Sequence, residues 1–361
     1  MKCALITGVT GQDGPYLADL LLNKGYKVYG TYRRVSNPNF WRLQQLGIAN
    51  KITLIPADLT DMSSLLEAVT TANPNEIYNL AAQSFVGASF DHPLLTTEVD
   101  GSGTSRFLEI IRHLNKDIKL YQASTSELYG NSPPPQDEHT PMIPNSPYAA
   151  AKLLSYNMTR IYRKSYGIFA SNGILFNHES PFRGLEFVTR KISNSVAKIK
   201  LGMQSGLSLG NIEAKRDWGY APDFVEAMWK IMQHDTADDF VIATGETHSV
   251  KEFAEQAFAV VGLNWKDHVQ VKDELKRPLD VELLQGDFRK AREVLGWKPN
   301  VTFKELVRIM VSEDLKRWKM HLNGEVFPWD APYFSDNIDI VSRNVVREGK
   351  VRLGQMKEPK E

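Results

Sequence analysis

The sequence predicts an α/β protein, a doubly wound parallel sheet joined to a smaller, mixed C-terminal domain that would hold a substrate. Three observations carry this. Short apolar runs rich in branched residues recur through the first part of the chain, separated by helix-length stretches of polar and apolar periodicity. That alternation builds a parallel sheet with helices on both faces. The turn between the first run and the helical stretch after it is rich in glycine, and beyond about residue 175 the pattern loosens into shorter elements, clustered tryptophans and a further proline-containing region.

In chain order, Lys2 to Thr7 reads as a strand that breaks at Gly8, before the helical pattern Tyr16, Leu17, Leu20, Leu21. Gly25 closes that helix, and Tyr26 to Tyr32 forms a second strand leading into Arg33 and Arg34. Further strands fall at Ile52 to Ile55, Glu76 to Leu80, Lys119 to Ala123 and Ala170 to Leu175. Between Gly130 and Pro147, prolines at 133, 134, 135, 141 and 144 mark a loop too long for a simple connection, and loops of that length usually serve a site. The implied division is 1–175 for the sheet domain, completed by a segment near 208–248, and 176–320 for the substrate domain. Residues 321–361 read as an extension of unassigned role with a disordered tip.

The 361 residues carry 43 Lys plus Arg against 43 Asp plus Glu, so the formal net charge is zero. No bulk electrostatic pull toward nucleic acid or an anionic membrane follows. A content of 42% hydrophobic and 24% charged residues is that of a folded globular chain rather than a disordered one. A single cysteine, Cys3, allows no intramolecular disulfide, and the chain opens directly into a strand; both point to a reducing cytoplasm. No apolar run approaches the roughly 18–20 residues of a membrane helix, and no metal site is expected.

The turn Gly8-Val9-Thr10-Gly11-Gln12-Asp13-Gly14 stands where a Rossmann-type fold places its dinucleotide fingerprint. Glycines there admit a pyrophosphate, which meets the free N–H groups and dipole of the helix N-terminus. At the end of the second strand, where an NAD enzyme places a carboxylate, the chain has Tyr32, Arg33 and Arg34. An arginine there binds a 2′-phosphate, favouring NADP; the plainer reading is two solvated surface arginines. Tyr148-Ala-Ala-Ala-Lys152 puts a phenol and an ammonium on one helix face, where the cation can lower the phenol's pKa for base catalysis. Upstream, Ala123 to Gly130 ends a strand with hydroxyls at Ser124, Thr125 and Ser126 and a carboxylate at Glu127. Taken singly, these residues fit capping, turn chemistry or an exposed acid equally well.

Together these features resemble the extended short-chain dehydrogenase/reductase family, over roughly Met1 to Met320. The strings G-V-T-G-Q-D-G, Y-Q-A-S-T-S-E-L-Y-G, S-P-Y-A-A-A-K, G-I-L-F-N-H-E-S-P and K-R-D-W-G-Y-A-P-D-F-V-E-A-M-W are similar, within it, to the GDP-mannose 4,6-dehydratase family. The resemblance implies cofactor contacts at Gly8, Thr10, Gly11, Gln12, Asp13, Gly14, Arg33, Asp58, Leu59, Leu80, Ala81, Ala82, Gln83, Ser84, Tyr148, Lys152, His178 and Arg183. It implies substrate contacts at Ser84, Ser126, Glu127, Asn177, Glu179, Val188, Lys191, Arg216 and Arg277, and catalysis by Thr125, Glu127, Tyr148 and Lys152. Cations at Lys191, Arg216 and Arg277 suit the diphosphate of a GDP-sugar.

What the resemblance implies chemically is a redox-neutral dehydration of GDP-mannose to GDP-4-keto-6-deoxymannose with tightly held NADP. A GDP-heptose dehydratase, a GDP-4-keto-6-deoxy-sugar reductase or epimerase, and a catalytically silent nucleotide-binding scaffold are the alternatives; nucleic acid and membrane are not expected partners. Two departures stand out. Where the family commonly has S-P-R-R-G, this chain reads Ser180-Pro181-Phe182-Arg183-Gly184, and the usual serine-rich segment is replaced by Val35-Ser36-Asn37-Pro38-Asn39-Phe40-Trp41. In family members that segment reaches a neighbouring subunit's cofactor site, so homodimer and homotetramer both stay open. Phe182, if near the sugar, would suit a heptose.

Overall fold

The computed structural model describes residues 1–36, 39–275 and 281–325. Six strands follow one another along the chain: β1 (Cys3–Thr7), β2 (Lys27–Tyr32), β3 (Thr53–Pro56), β4 (Glu76–Asn79), β5 (Lys119–Thr125) and β6 (Ala170–Leu175). Phe240–Ile242 adds a seventh beside β6. From that edge the order is Phe240–Ile242, β6, β5, β4, β1, β2, β3, and every pairing is parallel. The winding reverses between β1 and β4, the point at which open sheets of this kind leave a crevice at the strand C-termini.

The two strand ends at that point are tied together. The Thr7 hydroxyl donates to Asn79 Oδ1 at 2.7 Å and accepts from the Leu80 and Ala81 N–H groups, each at 3.0 Å. The helix Asp13–Asn23 springs from the glycine turn. A Cβ on Gly14 would meet Val9 Cα at 2.5 Å and Gly8 O at 2.6 Å, so only glycine lets this helix start so close to the strand it follows.

Helices cover both faces. Leu17, Leu21, Phe224, Met228 and Ile231 are buried on one, and Leu65, Val69, Phe107 and Ile111 on the other. A separate apolar cluster, including Ile192, Val196, Phe253, Phe258, Leu306 and Met310, unites the helices Val188–Lys200, Val250–Val260 and Phe303–Leu322. Full burial of such side chains is worth about 1.5–3 kcal/mol each, so each cluster is a core in its own right. Among the described residues no helix is long and apolar enough to cross a membrane.

One expectation needs correction. The loop from Gly130 to Pro147 supplies no residue to the cleft wall among the described residues; it is anchored instead to chain beyond residue 280. Gln136 N–H donates to Gln285 O at 2.8 Å, Gln285 N–H to Gln136 Oε1 at 2.9 Å, and Asp287 N–H to Gln136 O at 2.8 Å. Its length serves docking. The last described helix runs to Leu322, and the tip expected to be disordered lies outside the described residues.

Candidate functional site

A cleft of about 780 Å³ opens over the C-terminal ends of the central strands. It is lined on one side by Gly8, Thr10, Gly11, Gln12, Asp13, Gly14, Arg33, Asp58, Leu59 and the run Leu80, Ala81, Ala82, Gln83, Ser84. Thr125, Ser126, Glu127, Tyr148 and Lys152 form its middle, and Asn177, His178, Glu179, Arg183, Val188, Lys191 and Arg216 the far wall. Every described candidate residue except Arg34 therefore meets in one cavity. Arg277 lies outside the described residues, and Arg34, although exposed like Arg33, is not part of the wall.

Local sequence rules place the central group. Thr125 ends β5 in extended conformation and caps the short 3₁₀ turn Ser126–Tyr129, its hydroxyl accepting the Glu127 N–H at 3.2 Å. Ser146 caps the helix Pro147–Tyr166, accepting the Ala149 N–H at 3.1 Å, with Pro147 at the first position and Gly167 in left-handed conformation after the last. Tyr148 thus stands at a fixed helix start. One turn on, Lys152 is buried and donates from Nζ to Ala123 O at 3.1 Å.

That geometry corrects the expected tuning of Tyr148. Burial pushes the phenol well above its usual range, and the charge of Asp100 adds to this, while a hydrogen bond with Thr125 pulls the other way. Lys152 Nζ is 5.9 Å from the ring centroid and bonded elsewhere, so spacing alone does not lower the phenol. Lys152 is itself held below its usual range by burial, opposed by Asp100. Asp100 lies in the π-helical stretch Thr97–Ser102; its Oδ1 accepts the Gln83 N–H at 2.7 Å. Burial raises its carboxyl to about 6 against the pull of Lys152.

The glycine turn is latched to the far wall. Gln12 Nε2 donates to His178 O at 3.0 Å, Ser180 Oγ to Gln12 Oε1 at 3.0 Å, and His178 Nε2 lies 2.8 Å from Asp13 Oδ2. Glu179 accepts from Thr189 Oγ1 at 2.6 Å and pairs with Arg183 at 3.2 Å, so neither acid nor base there is loose. Lys191 donates to Ser208 O at 2.7 Å and Arg216 to Lys215 O at 2.9 Å.

The cavity also fits ligands with polar groups to offer. Ser124 Oγ and Asn177 Oδ1 line it, buried and without a hydrogen-bond partner among the described residues, and an unmet buried group costs about 1–3 kcal/mol. Glycines at 8, 11 and 14 leave the turn bare of side chains where a dinucleotide's pyrophosphate would approach. Both observations suit a nucleotide cofactor.

A family model described as GDP-mannose 4,6 dehydratase matches residues 5–310. The chain belongs to the GDP-mannose 4,6-dehydratase family. It is 52% identical over 325 residues to GDP-mannose 4,6 dehydratase 1 of Arabidopsis thaliana, covering 87% of this chain and 90% of that one. It is 50% identical over 347 residues to GDP-mannose 4,6 dehydratase of Homo sapiens, covering 89% and 93%. Among solved structures, UDP-glucose 4-epimerase of Thermus thermophilus in complex with NAD matches with a TM-score of 0.76 at 25% identity, covering 87% of this chain and 99% of that one.

Within this GDP-mannose 4,6-dehydratase family member, Phe182 is turned away from the cleft, so its proposed adaptation to a heptose is withdrawn. Its ring stacks on Tyr16 with centroids 4.7 Å apart and meets Trp41 edge-on at 5.4 Å. Two residues escape sequence reading, Arg42 on the cleft wall and Asp100 behind it, bonded to the lining residue Gln83. Asp100 sits in a helical stretch whose apolar pattern shows nothing unusual, and Arg42 follows a segment with no motif of its own. Neither Thr97–Ser102 nor Trp41–Gln45 carries an apolar face in which a charge would stand out, so no sequence signal flags them.

Proposed function

We propose that the chain is a hydro-lyase converting GDP-mannose to GDP-4-keto-6-deoxymannose, with NADP retained through each turnover. The observation that carries this is the convergence of Thr125, Glu127, Tyr148 and Lys152 between a bare glycine turn and the cations Lys191 and Arg216. The names of the relatives support the substrate, and Arg33 in the wall near the end of β2 supports NADP over NAD.

Tyr148 takes the proton of the sugar C4 hydroxyl in its phenolate form, which burial opposes and which the positive charges of Lys152 and of an oxidised nicotinamide bound beside it would favour. Thr125, whose Oγ1 accepts the Glu127 N–H, keeps its own hydrogen to donate to the C4 oxygen as charge develops there. A nicotinamide dinucleotide bound in the cleft supplies hydride acceptance from C4 and hydride return to C6, so no external reductant is consumed. The C4 ketone acidifies the C5 hydrogen, and Glu127, reaching the cleft from the turn after β5, removes that proton and passes it to the C6 hydroxyl. Water leaves, and one carboxyl has served as base and then acid; as C6 is reduced, the proton that Tyr148 took from the C4 hydroxyl is returned to C5, which restores the starting protonation state and balances the loss of one water. Lys191 and Arg216 meet the diphosphate, and Lys152 holds positive charge beneath Tyr148.

The test is incubation of the purified protein with GDP-mannose and no added reductant. A 4-keto-6-deoxy product, lighter by one water, is expected; its absence from cofactor-loaded protein would overturn the assignment. Glu127→Gln should lower kcat by about 10²–10⁴-fold while leaving nucleotide-sugar affinity nearly unchanged. Undiminished turnover in that variant would move the proton work to another residue.

A further inference from the structure

Among the described residues, Arg42 is a cation without an acidic partner on the wall of the cofactor cleft. It belongs to the short helix Trp41–Gln45 and lines the cleft beside Thr31, Tyr32 and Arg33. Its Nε donates to Phe182 O at 2.8 Å and its Nη1 to Thr10 O at 3.1 Å. The Trp41 ring lies 4.5 Å from the guanidinium carbon. Nη2 has no hydrogen-bond partner among the described residues, and no carboxylate among them lies within ion-pair distance.

Its neighbours sharpen the contrast. Arg190 is paired with Asp314 at 2.7 Å and Arg317 with Glu313 at 3.3 Å. Arg42 has only the more distant attraction of Glu186, and it feels both arginines as like charges. A half-buried guanidinium held open by two carbonyls and a stacked indole is preorganised for an anion from outside the chain.

We propose that Arg42 is a specificity-determining residue that binds the 2′-phosphate of NADP, with Thr10 and Arg33 on either side. The place fits, since this fold presents the 2′ position of the adenosine ribose at the end of β2, next to the glycine turn, and Arg42 is bonded to Thr10 of that turn and lines the same cleft as Arg33. The chemistry fits because a phosphate dianion accepts both N–H groups of the guanidinium edge. Phe182 and Trp41, both at departures from the family pattern, then act together: one supplies the carbonyl and the other the stacked ring that aim Arg42. This rests on a nicotinamide dinucleotide occupying the cleft.

The test is calorimetric titration of NADP and of NAD into nucleotide-free wild-type, Arg42→Gln and Arg42→Lys proteins. Arg42→Gln is expected to weaken NADP by about tenfold to a hundredfold, the range for a lost hydrogen bond to a charged group, with NAD changed by less than about threefold. Arg42→Lys, which keeps the charge without the fork, should fall between and keep the same selectivity, and it carries the test if the Gln variant fails to fold. Equal loss for both dinucleotides, or no loss for NADP, overturns the role of Arg42. Wild-type protein binding neither dinucleotide would instead overturn the underlying reading of the cleft.

Discussion

His178 offers both ring nitrogens to acceptors, Nδ1 to Phe176 O and Nε2 to Asp13 Oδ2, each at 2.8 Å. Burial alone would lower its pKa, but the charge and hydrogen bond of Asp13 outweigh burial and raise it. Burial likewise works to raise the Asp13 carboxyl, and His178 and Arg183 bring it below its usual value. A histidine raised on folding stabilises below its unfolded pKa of about 6.5, and the gain is lost as pH climbs through the folded value. A carboxylate lowered on folding stabilises above about 3.9 and loses that gain as pH falls. The latch on the glycine turn is therefore fully engaged between about pH 4 and 6.5. The Tm of the wild-type protein minus that of His178→Asn should shrink as pH rises from 6 toward 9; a difference constant over that range would mean that the pair contributes no charged interaction.

Packing of whole elements decides where Lys152 points. Gly101, in the π-helical stretch Thr97–Ser102, lies against the helix Pro147–Tyr166: an added Cβ would come within 3.0 Å of Leu154 Cδ2 and 3.3 Å of Ala151 O. The leucine tip can yield but the carbonyl cannot, so Gly101→Ala must push the two helices apart. Overpacking of this kind costs about 1–3 kcal/mol, and it displaces Asp100 from Lys152. A lower Tm is expected together with a fall in kcat that exceeds any change in KM for GDP-mannose; an unchanged Tm would show that the contact is slack. Sequence reasoning reaches these elements unevenly. The strand and helix carrying Thr125, Tyr148 and Lys152 are legible because Ser146, Pro147 and Gly167 punctuate the helix and branched residues mark β5. The π-helical stretch and the docking of the Gly130–Pro147 loop are not, since each depends on a partner distant in sequence. For the same reason the i, i+4 spacing of Tyr148 and Lys152 could be read, whereas the diversion of Lys152 to Ala123 O could not.

At the scale of the molecule, zero net charge conceals a buried ionic junction between helices of the C-terminal cluster that reaches the wall of the cleft. Asp314, on the helix Phe303–Leu322, accepts from Arg190 at 2.7 Å and from Ser193 at 2.6 Å. Arg190 also donates to Pro181 O and Arg183 O, each at 2.8 Å, and Arg317 reaches Gln45 Oε1 at 3.1 Å on the helix that carries Arg42. Both Arg190 and Asp314 are shut from solvent, at 1% and 0% exposure, so removing one partner leaves an uncompensated charge in the interior. Asp314→Ala is therefore expected to lower unfolding free energy by about 3–5 kcal/mol, read from denaturant titration. Because Arg190 braces the segment bearing Arg183, affinity for the dinucleotide should fall with stability in that variant. Replacing both partners by apolar residues of similar volume, Arg190→Met with Asp314→Leu, should recover much of the stability but not the affinity, since the carbonyl of Arg183 would still lack the Arg190 donor and Pro181 O would keep only Arg317, at 2.6 Å. Recovery of both by the double variant would show that the junction serves stability alone and has no part in shaping the cleft.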